Sequence, residues 1–339
     1  MFRETLTYDD VLLVPKFSEI QSRNETSLES VLDFNLKFAT PIIASPMDTV
    51  SGAAMAIKLS KLGGVAVIHR YNTIEEQSKI VKQVKEAGCK VGAAIGATGD
   101  YMMRVNSLIF AGVDFVCIDV AHGHHTMVYQ SITDIRSKYP FLHIMAGNVA
   151  TAKGFEDLQA WGANSIRVGI GGGSICSTRI QTGHGVPNIT AIMDCASVAN
   201  SAKLIADGGI KNAGDIVKAL AAGADFVMLG SLLAGTDEAP GEIIQNLVSN
   251  TRLKSYRGMA SREAQEEWRG KSSAPEGIAT TIPYKGPVES IFNDLIGNIR
   301  SGLSYSGATT IKGLQAKAEF IRQTSAGQSE SWTHILGKR

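Results

Sequence analysis

The chain contains 339 residues, of which 44% are hydrophobic and 19% are charged, and its formal net charge is +1. This balance provides no basic surface for nucleic acid or an anionic membrane, and no apolar run approaches the roughly 18 residues of a membrane-spanning helix. The acidic N-terminus does not resemble a signal peptide, and four cysteines without paired spacing are typical of free thiols in a reducing compartment. We therefore expect a cytoplasmic protein without nucleic-acid or membrane partners.

Eight short apolar runs recur along the chain, and each leads into polar or glycine-rich residues. The runs cover residues 41–45, 64–69, 91–95, 115–120, 143–146, 165–170, 203–206 and 226–230. Such runs are typical of parallel strands buried on both faces. The amphipathic stretches between them predict helices at residues 53–62, 73–87, 102–110, 127–138, 154–161, 189–202 and 213–222. Eight units of this kind predict an α/β fold, the (β/α)8 TIM barrel, with a doubly wound open sheet as the competing architecture.

Residues able to bind or react follow seven of the eight predicted strands. They are Ser45 to Asp48, His69 and Arg70, Asp119 and His122, Gly147 and Asn148, residues 169–179, Asp207 to Gly209, and Gly230 and Ser231. Barrel enzymes place their chemistry on the loops after the carboxyl ends of the strands. This distribution favours the barrel over the open sheet.

The pattern changes after the eighth predicted strand. Residues 260–275 are strongly polar, which favours a mobile flap over the barrel mouth, although a disordered insertion has the same composition. Residues 290–307 predict a last amphipathic helix, and the tail from Thr324 is polar. We expect one catalytic domain over residues 1–339, with a mobile flap and a C-terminal extension.

The glycine-rich segment GIGGGSICSTR at residues 169–179 follows the sixth predicted strand. Its glycines leave the backbone free to approach a ligand closely, and Cys176 places a thiol among their amides, so Cys176 is a candidate nucleophile. A structural cysteine is the commoner finding for an arbitrary protein. Cys117 and Cys195 lie within a predicted strand and helix, where packing explains them, and Cys89 precedes a strand.

A second group of residues predicts a phosphate site. Gly208 and Gly209 end the seventh strand, and Gly230 and Ser231 end the eighth, where barrels often bind phosphate through backbone amides and hydroxyls. Ser174 is placed to join them, whereas Asp207 would repel phosphate and suits sugar hydroxyls. Together these residues predict a nucleoside monophosphate pocket with a thiol at its far end.

Histidines cluster in the sequence His-Gly-His-His at residues 122–125. No carboxylate or cysteine accompanies them at regular ligand spacing. We therefore expect no metal site there.

Eight motifs in order identify a resemblance to the IMP dehydrogenase/GMP reductase family over nearly the whole chain. They are LTYDDVLLVP (6–15), SPMDTV (45–50), DVAHG (119–123), AGNV (146–149), the 169–179 segment, ADGGI (206–210), MLGSLLAG (228–235) and YRGM (256–259). The resemblance implies a (β/α)8 barrel, usually a homotetramer, that binds a purine nucleoside monophosphate and a nicotinamide cofactor and acts at purine C2.

The resemblance also assigns roles to individual residues. Cys176 resembles the nucleophile, and Thr178 with Glu276 resembles the proton relay. The phosphate ligands are Ser174, Gly209, Gly230, Ser231 and Tyr256, the ribose ligand is Asp207, and Ser45, Met47, Gly258 and Met259 line the base. We expect Gly208 and Asn148, which lie at neighbouring strand ends, to belong to the same substrate set. The cofactor set comprises Asp119, His122, Gly169 and Gly171.

A monovalent cation such as K⁺ is also implied. Carbonyls of Gly171, Gly173 and Cys176 resemble its ligands, and Glu330 resembles a ligand from a neighbouring subunit. The family usually has proline where this chain has Gly172, which makes the loop and the cation site less typical.

Two reactions occur in this family, and three features bear on them. A CBS pair, usual in the dehydrogenase after the second helix, is absent here, and the flap has no Arg-Tyr pair of the kind that activates water. The Thr178–Glu276 relay is common to both enzymes. Residues 275–278 and 282–286 and the N-terminal third look closer to bacterial dehydrogenases.

We weight the missing water-activating pair above this overall similarity. The sequence therefore predicts a GMP reductase using NADPH. The alternatives are an IMP dehydrogenase using NAD and a catalytically decayed nucleotide-binding barrel.

Overall fold

The N-terminal segment lies against one end of a barrel in the computed structural model, which describes residues 2–246 and 250–333. Two short 3₁₀ helices span Tyr8–Asp10 and Arg23–Glu25. The short strands here are β1 (Val11–Leu13), β2 (Ser30–Val31) and β3 (Lys37–Phe38), and β2 pairs with β3 as a hairpin. Leu32, Leu36 and Phe38 of this hairpin pack into the apolar interior of the barrel, so the hairpin closes that end.

Eight parallel strands form a closed barrel, which confirms the predicted (β/α)8 fold and excludes the open sheet. The strands are β4 (Ile42–Ala44), β5 (Val65–Ile68), β6 (Gly92–Ile95), β7 (Phe115–Asp119), β8 (His143–Val149), β9 (Ser165–Val168), β10 (Lys203–Asp207) and β11 (Phe226–Leu229). Each pairs with its neighbours in sequence, and β11 closes on β4. All eight lie within or beside the apolar runs of the sequence.

Helices surround this barrel. They are α1 (Ala53–Lys61), α2 (Ile74–Glu86), α3 (Tyr101–Phe110), α4 (Thr126–Lys138), α5 (Ala152–Ala160), α6 (Thr178–Thr182), α7 (Asn188–Ala196) and α8 (Ala213–Ala221). Thr73 begins α2 with a capping box, since its hydroxyl accepts from the Glu76 amide and its own amide donates to the Glu76 carboxylate. The helix predicted over residues 189–202 ends at Ala196, so that prediction was too long. Because α2 ends at Glu86 and β6 begins at Gly92, no domain is inserted between them.

The chain after the barrel forms a small antiparallel sheet and further helices. The sheet contains β12 (Ile244–Asn246), β13 (Thr251–Arg257) and β14 (Ala279–Pro283), and α9 (Arg262–Arg269) lies between β13 and β14. The remaining elements are α10 (Val288–Tyr305), α11 (Ile311–Lys317), β15 (Phe320–Arg322) and α12 (Ser325–Glu330). The segment predicted as a flap thus contains a helix, which the alternative of a disordered insertion does not accommodate. None of the helices in the described ranges is long and apolar enough to cross a membrane.

A buried histidine joins the hairpin to the barrel. His143 Nδ1 lies 2.6 Å from Asp33 Oδ2, and its Nε2 lies 2.9 Å from Ser165 Oγ. The ring is 3% exposed, and the hydrogen bond from His143 lowers the pKa of Asp33 below its ordinary value of 3.8. The pair therefore ties the β2–β3 turn to β8 and β9.

We expect Asp33→Asn to destabilise the protein by about 1–3 kcal/mol at neutral pH, because a charge-assisted hydrogen bond to a buried ring is lost. Since folding lowers the pKa of Asp33, its contribution is present above pH 3.8 and is lost as the pH falls below that value. Urea unfolding at neutral and acid pH measures the difference in unfolding free energy between the wild-type protein and Asp33→Asn. This difference should be smaller at acid pH. The exposed Glu29→Gln is the control and should change little; an equal Asp33→Asn effect at both pH values would contradict this account.

Candidate active site

A cavity of about 450 Å³ opens at the carboxyl ends of the barrel strands. Residues from the loops after all but one of the strands line it, including Ser45, Arg70, Asp119, Asn148, Cys176, Asp207 and Gly230. The size lies within the usual range for a small-molecule site. The barrel thus gathers residues that are far apart in the sequence into one cleft.

Three side chains at the cavity are joined by successive hydrogen bonds that begin at the thiol. Cys176 Sγ donates to Thr178 Oγ1 at 3.2 Å, and Thr178 Oγ1 donates to Glu276 Oε2 at 2.8 Å. Cys176 is half-buried, so its sulfur is reachable from the cavity. The arrangement can move a proton between the reacting centre and a carboxylate through a hydroxyl.

Backbone pairing between two distant segments holds this chain together. The amide of Ser177 donates to the carbonyl of Glu276 at 2.9 Å, and the amide of Ile278 donates to the carbonyl of Ile175 at 3.0 Å. The glycine-rich loop and the segment before β14 are therefore joined like two strands at Cys176 and Gly277. This pairing places Glu276 beside Thr178.

The other three cysteines are buried. Cys117 and Cys195 are 0% exposed, and burial raises the pKa of each thiol to about 12. Cys89 is 5% exposed. A thiol that stays protonated and unreachable is a poor nucleophile, so the interpretation of Cys117 and Cys195 as packing residues agrees with their burial.

The predicted phosphate ligands meet at one end of the cavity. Ser174 Oγ lies 3.2 Å from Tyr256 Oη, and Gly208 and Gly209 have φ of +91° and +75°, a region that glycine adopts without strain. Burial raises the pKa of Tyr256, which keeps its hydroxyl available as a donor to an anion.

The predicted ligands of the base lie beside this end. A Cβ on Gly230 would approach Met47 Sδ, Ser45 Oγ and Tyr256 Oη to between 3.1 and 3.2 Å, so these side chains converge on a bare backbone. The Ser45 hydroxyl oxygen is buried and has no partner within the described residues. Its hydrogen-bonding capacity is therefore not used by the described residues. Gly258 and Met259 also line the cavity.

Two carboxylates at the cavity share one buried arginine, a residue that the sequence analysis missed. Arg167 Nη1 lies 2.5 Å from Asp119 Oδ1, and its Nη2 lies 2.8 Å from Asp207 Oδ2. Asn148 Nδ2 also donates to Asp207 Oδ2, at 2.8 Å, and to the Gly169 carbonyl, at 2.9 Å. The sequence did contain a signal for this arginine, because Arg167 is a charged residue inside the apolar run 165–170. A charge buried in a strand needs a partner of opposite charge.

Two of the predicted site residues lie away from the cavity. His122 is exposed and does not line it. Glu330 is exposed on α12, which contacts the 3₁₀ helix Tyr8–Asp10, and it does not line the cavity. Neither residue is brought to the thiol within one chain.

The histidine cluster is engaged in ordinary contacts. His124 Nε2 lies 2.8 Å from Asp157 Oδ2, and the described part of the chain holds no group of three His, Cys, Asp and Glu side chains arranged around a metal.

In the glycine-rich loop, the Arg179 guanidinium donates to the carbonyls of Ile170 and Val186. The positive charge of the Arg179 guanidinium therefore lies beside Gly171, one of the residues predicted to bind a cation.

The flap helix lies over the cavity and is attached at two points. Arg257 joins Asp48 Oδ2, at 2.8 Å from its Nε, to Glu267 Oε2 on α9, at 2.5 Å from its Nη1. The Trp268 ring lies 6.2 Å from that of Tyr71. These contacts bring the side chains of the flap helix to the loops after β4 and β5.

A second cavity of about 260 Å³ adjoins the first under the flap. Arg70, Arg104 and Arg269 line it together with Thr98 and Trp268. Arg104 already contacts Asp100, Asn72 and Gln77. Arg70 and Arg269 flank the Tyr71 ring at 5.3 and 5.9 Å, so positive charge and aromatic surface occur together.

Residues 5–334 of the chain match the IMP dehydrogenase / GMP reductase domain family. The chain is 33% identical to the inosine-5'-monophosphate dehydrogenase of Nitrosopumilus maritimus, over 98% of both chains, in an alignment of 471 residues that includes a region this chain lacks. It is 38% identical to the inosine-5'-monophosphate dehydrogenase of Cryptosporidium parvum, over 97% of this chain and 94% of that enzyme.

One solved structure is also closely similar. The crystal structure of the C318A variant of GMP reductase from Trypanosoma brucei, in complex with guanosine 5'-monophosphate, superposes with a TM-score of 0.93. The two chains are 29% identical, and the match covers 98% of each. The similarity thus extends over nearly the whole chain in both sequence and fold.

Gly172 makes room for a side chain from the next helix. Asn188 Nδ2 donates to the Gly208 carbonyl at 2.5 Å, and a Cβ on Gly172 would lie 2.7 Å from both polar atoms of the Asn188 amide. Asn188 is 6% exposed, so its amide has little space to move. Gly172, where the family usually has proline, therefore leaves the space that the Asn188 side chain occupies.

We expect Gly172→Ala to destabilise the protein by about 1–3 kcal/mol through overpacking against Asn188. Gly173→Ala is the matched control, because a Cβ there meets its nearest neighbour at an ordinary 3.4 Å. In a double-mutant cycle followed by urea unfolding, Asn188→Ala should relieve part of the cost of Gly172→Ala. Simple additivity of the two changes would show that Asn188 is not the obstacle.

Proposed function

The chain belongs to the IMP dehydrogenase/GMP reductase family of NAD(P)-dependent oxidoreductases, and we propose that within this family it acts as a GMP reductase. The reaction converts GMP and NADPH into IMP, ammonia and NADP⁺. The observation that carries this proposal is the flap. Arg269 is followed by Gly270, which ends α9 in a left-handed conformation, so the flap contributes no Arg-Tyr pair to the Cys176–Thr178–Glu276 relay. The Arg70–Tyr71 pair at the cavity belongs to the loop after β5.

The cavity supports binding of the purine nucleotide in one orientation. Ser174, Gly208, Gly209, Gly230, Ser231 and Tyr256 are the proposed phosphate ligands. Asp207 then accepts from the ribose hydroxyls, with Asn148 holding that carboxylate. Ser45, Met47, Gly258 and Met259 surround the base, and C2 of the purine faces Cys176.

The relay then accounts for the chemistry at C2. The Cys176 thiol passes its proton through Thr178 to Glu276 as its sulfur bonds to C2, and the bond from C2 to the exocyclic nitrogen breaks. Glu276 supplies the proton that the departing amine needs, through the hydroxyl of Thr178, and ammonia leaves. A reduced nicotinamide cofactor would supply the hydride to C2 when bound. The C2–S bond then breaks, which releases IMP, and the Cys176 sulfur takes up a proton.

The second cavity supports NADPH as the cofactor. Phosphate groups favour guanidinium partners, and Arg70 and Arg269 both line this cavity. The Arg70 Nε lies 3.9 Å from the Asp119 Oδ2, which is a long ion pair. Tyr71 and Trp268 provide aromatic surface for an adenine ring. Asp119, Gly169 and Gly171 complete the cofactor side proposed from the sequence; His122, which is exposed, remains the least supported member.

We also propose the coarser features that the resemblance implies. The exposure of Glu330 on its own chain is compatible with a homotetramer in which it reaches a neighbour's loop. Carbonyls of Gly171, Gly173 and Cys176 are the proposed ligands of K⁺ there, although Gly173 already accepts from the Cys176 amide at 3.1 Å. A single catalytic domain with a mobile flap at residues 260–275, in a cytoplasmic protein, completes the proposal.

One observation favours IMP dehydrogenase as the second candidate. Arg269 lines the main cavity together with Thr178 and Glu276, so a guanidinium is near the relay even without a tyrosine after it. The relatives at 33% and 38% identity are also dehydrogenases. A catalytically decayed barrel is disfavoured because the reachable thiol and both relay residues are in contact.

Two assays separate these candidates. With GMP and NADPH the protein should consume reduced nicotinamide, measured by its absorbance, whereas IMP and NAD should give no sustained increase. Cys176→Ala should abolish turnover and leave the affinity for GMP within about twofold, because only the bond-forming group is lost. Cys89→Ala is the control and should keep turnover. Sustained oxidation of IMP would instead support the dehydrogenase, and silence in both assays with intact GMP binding would support the decayed barrel.

A further inference from the structure

Arg167 extends from β9 into the interior of the barrel at the level of the cavity. It is 6% exposed, and it lies in the same row of the barrel as Gly147 on β8 and Asp119 on β7. Gly147 stands between the two charged residues, and a Cβ there would lie only 2.6 Å from the Arg167 Cβ. The missing side chain at position 147 therefore leaves Arg167 the space to reach across β8 to Asp119.

The guanidinium contacts two carboxylates with different nitrogens. Nη1 donates to Asp119 at 2.5 Å, while Nη2 and Nε donate to Asp207 Oδ2 at 2.8 and 3.2 Å. A guanidinium is planar and holds its donors in a fixed geometry. A displacement of one carboxylate therefore moves the donors that the other carboxylate uses.

Each carboxylate keeps one oxygen for a ligand. All hydrogen bonds from Arg167 and Asn148 to Asp207 end on Oδ2, and the bond to Asp119 ends on Oδ1. Asp119 Oδ2 faces only the Arg70 Nε, at 3.9 Å, among the described residues. Both carboxylates line the main cavity, so each can accept a sugar hydroxyl without releasing Arg167.

We propose that Arg167 is a positioning residue that couples binding of the purine nucleotide to binding of the cofactor. This inference rests on the proposed function for the identity of the two ligands, with Asp207 on the nucleotide ribose and Asp119 on the cofactor ribose. A ribose bound at either carboxylate restrains the guanidinium, and the restrained guanidinium orders the other carboxylate. Binding of one ligand therefore increases the affinity for the other, by the same factor in both directions.

The test measures the dissociation constant of GMP by calorimetry, with and without saturating NADP⁺. This pair of ligands cannot complete the reaction, because NADP⁺ carries no hydride to transfer. In the wild-type protein the ratio of the two constants should lie between about 5 and 150, the usual range of coupling between sites. In Arg167→Lys the ratio should fall to about one, because an ammonium keeps the charge but cannot hold both carboxylates in one plane.

Arg136→Lys provides the matched control. Arg136 also uses both terminal nitrogens, but it donates to the carbonyls of Pro140, Leu142 and Gly162 and to Asn164, away from the cavity. Its replacement should leave the coupling ratio at the wild-type value. If Arg167→Lys does not fold, Asp119→Asn removes the charged partner at one end. Measured at an NADP⁺ concentration that saturates this variant, the ratio should also fall towards one.

Two outcomes would overturn this inference: a wild-type ratio of one, or a wild-type ratio retained in Arg167→Lys or, if that variant does not fold, in Asp119→Asn. The measurement does not need turnover. If the reductase assay fails but GMP and NADP⁺ still bind, the coupling ratio still decides the role of Arg167, so failure of the proposed function and failure of this inference are distinguishable.

Discussion

The backbone pairing between residues 175–177 and 276–278 is the interaction on which the candidate site depends. Thr178 and Glu276 are 98 positions apart in the chain, and the two hydrogen bonds beside them fix their separation at hydrogen-bonding distance. The pairing also joins the flap to the barrel, because Gly277 contacts both Cys176 and Ser261, the residue that caps α9. Cys176, the Thr178–Glu276 pair and α9 are therefore one structural unit.

The barrel provides the rigid frame for this unit. Its strands end in one plane, and the side chains that leave those ends converge. The backbone after β9 lies very close to the end of β10. A Cβ on Gly169 would lie 2.0 Å from the Asp207 carbonyl oxygen, so only glycine fits at this position. Arg167 then neutralises part of the charge of the two aspartates, which would otherwise repel each other in a buried setting.

Local sequence patterns predicted the barrel and much of the cavity, whereas contacts between distant segments were not predictable. The apolar runs located all eight strands, and residues at the ends of seven of them line the cavity, because side chains after parallel strands share one end of the barrel. The bond from Arg167 to Asp119 depends on the register of β7, β8 and β9, which no local pattern reveals. The same holds for Asn188 beneath Gly172 and for α9, whose polar composition suggested an irregular segment. His122 was assigned from its motif alone, and its exposure follows from the course of the loop.

The most direct test of the central claim is the fate of the covalent adduct in water. Incubation with IMP and NADP⁺ should reverse the hydride step once, giving up to one equivalent of NADPH and a purine bound to Cys176, detected by intact mass. Since the flap provides no Arg-Tyr pair, this adduct should persist in water and should yield GMP when ammonium is added. Steady formation of XMP without ammonium would contradict the account and assign the protein to the dehydrogenases.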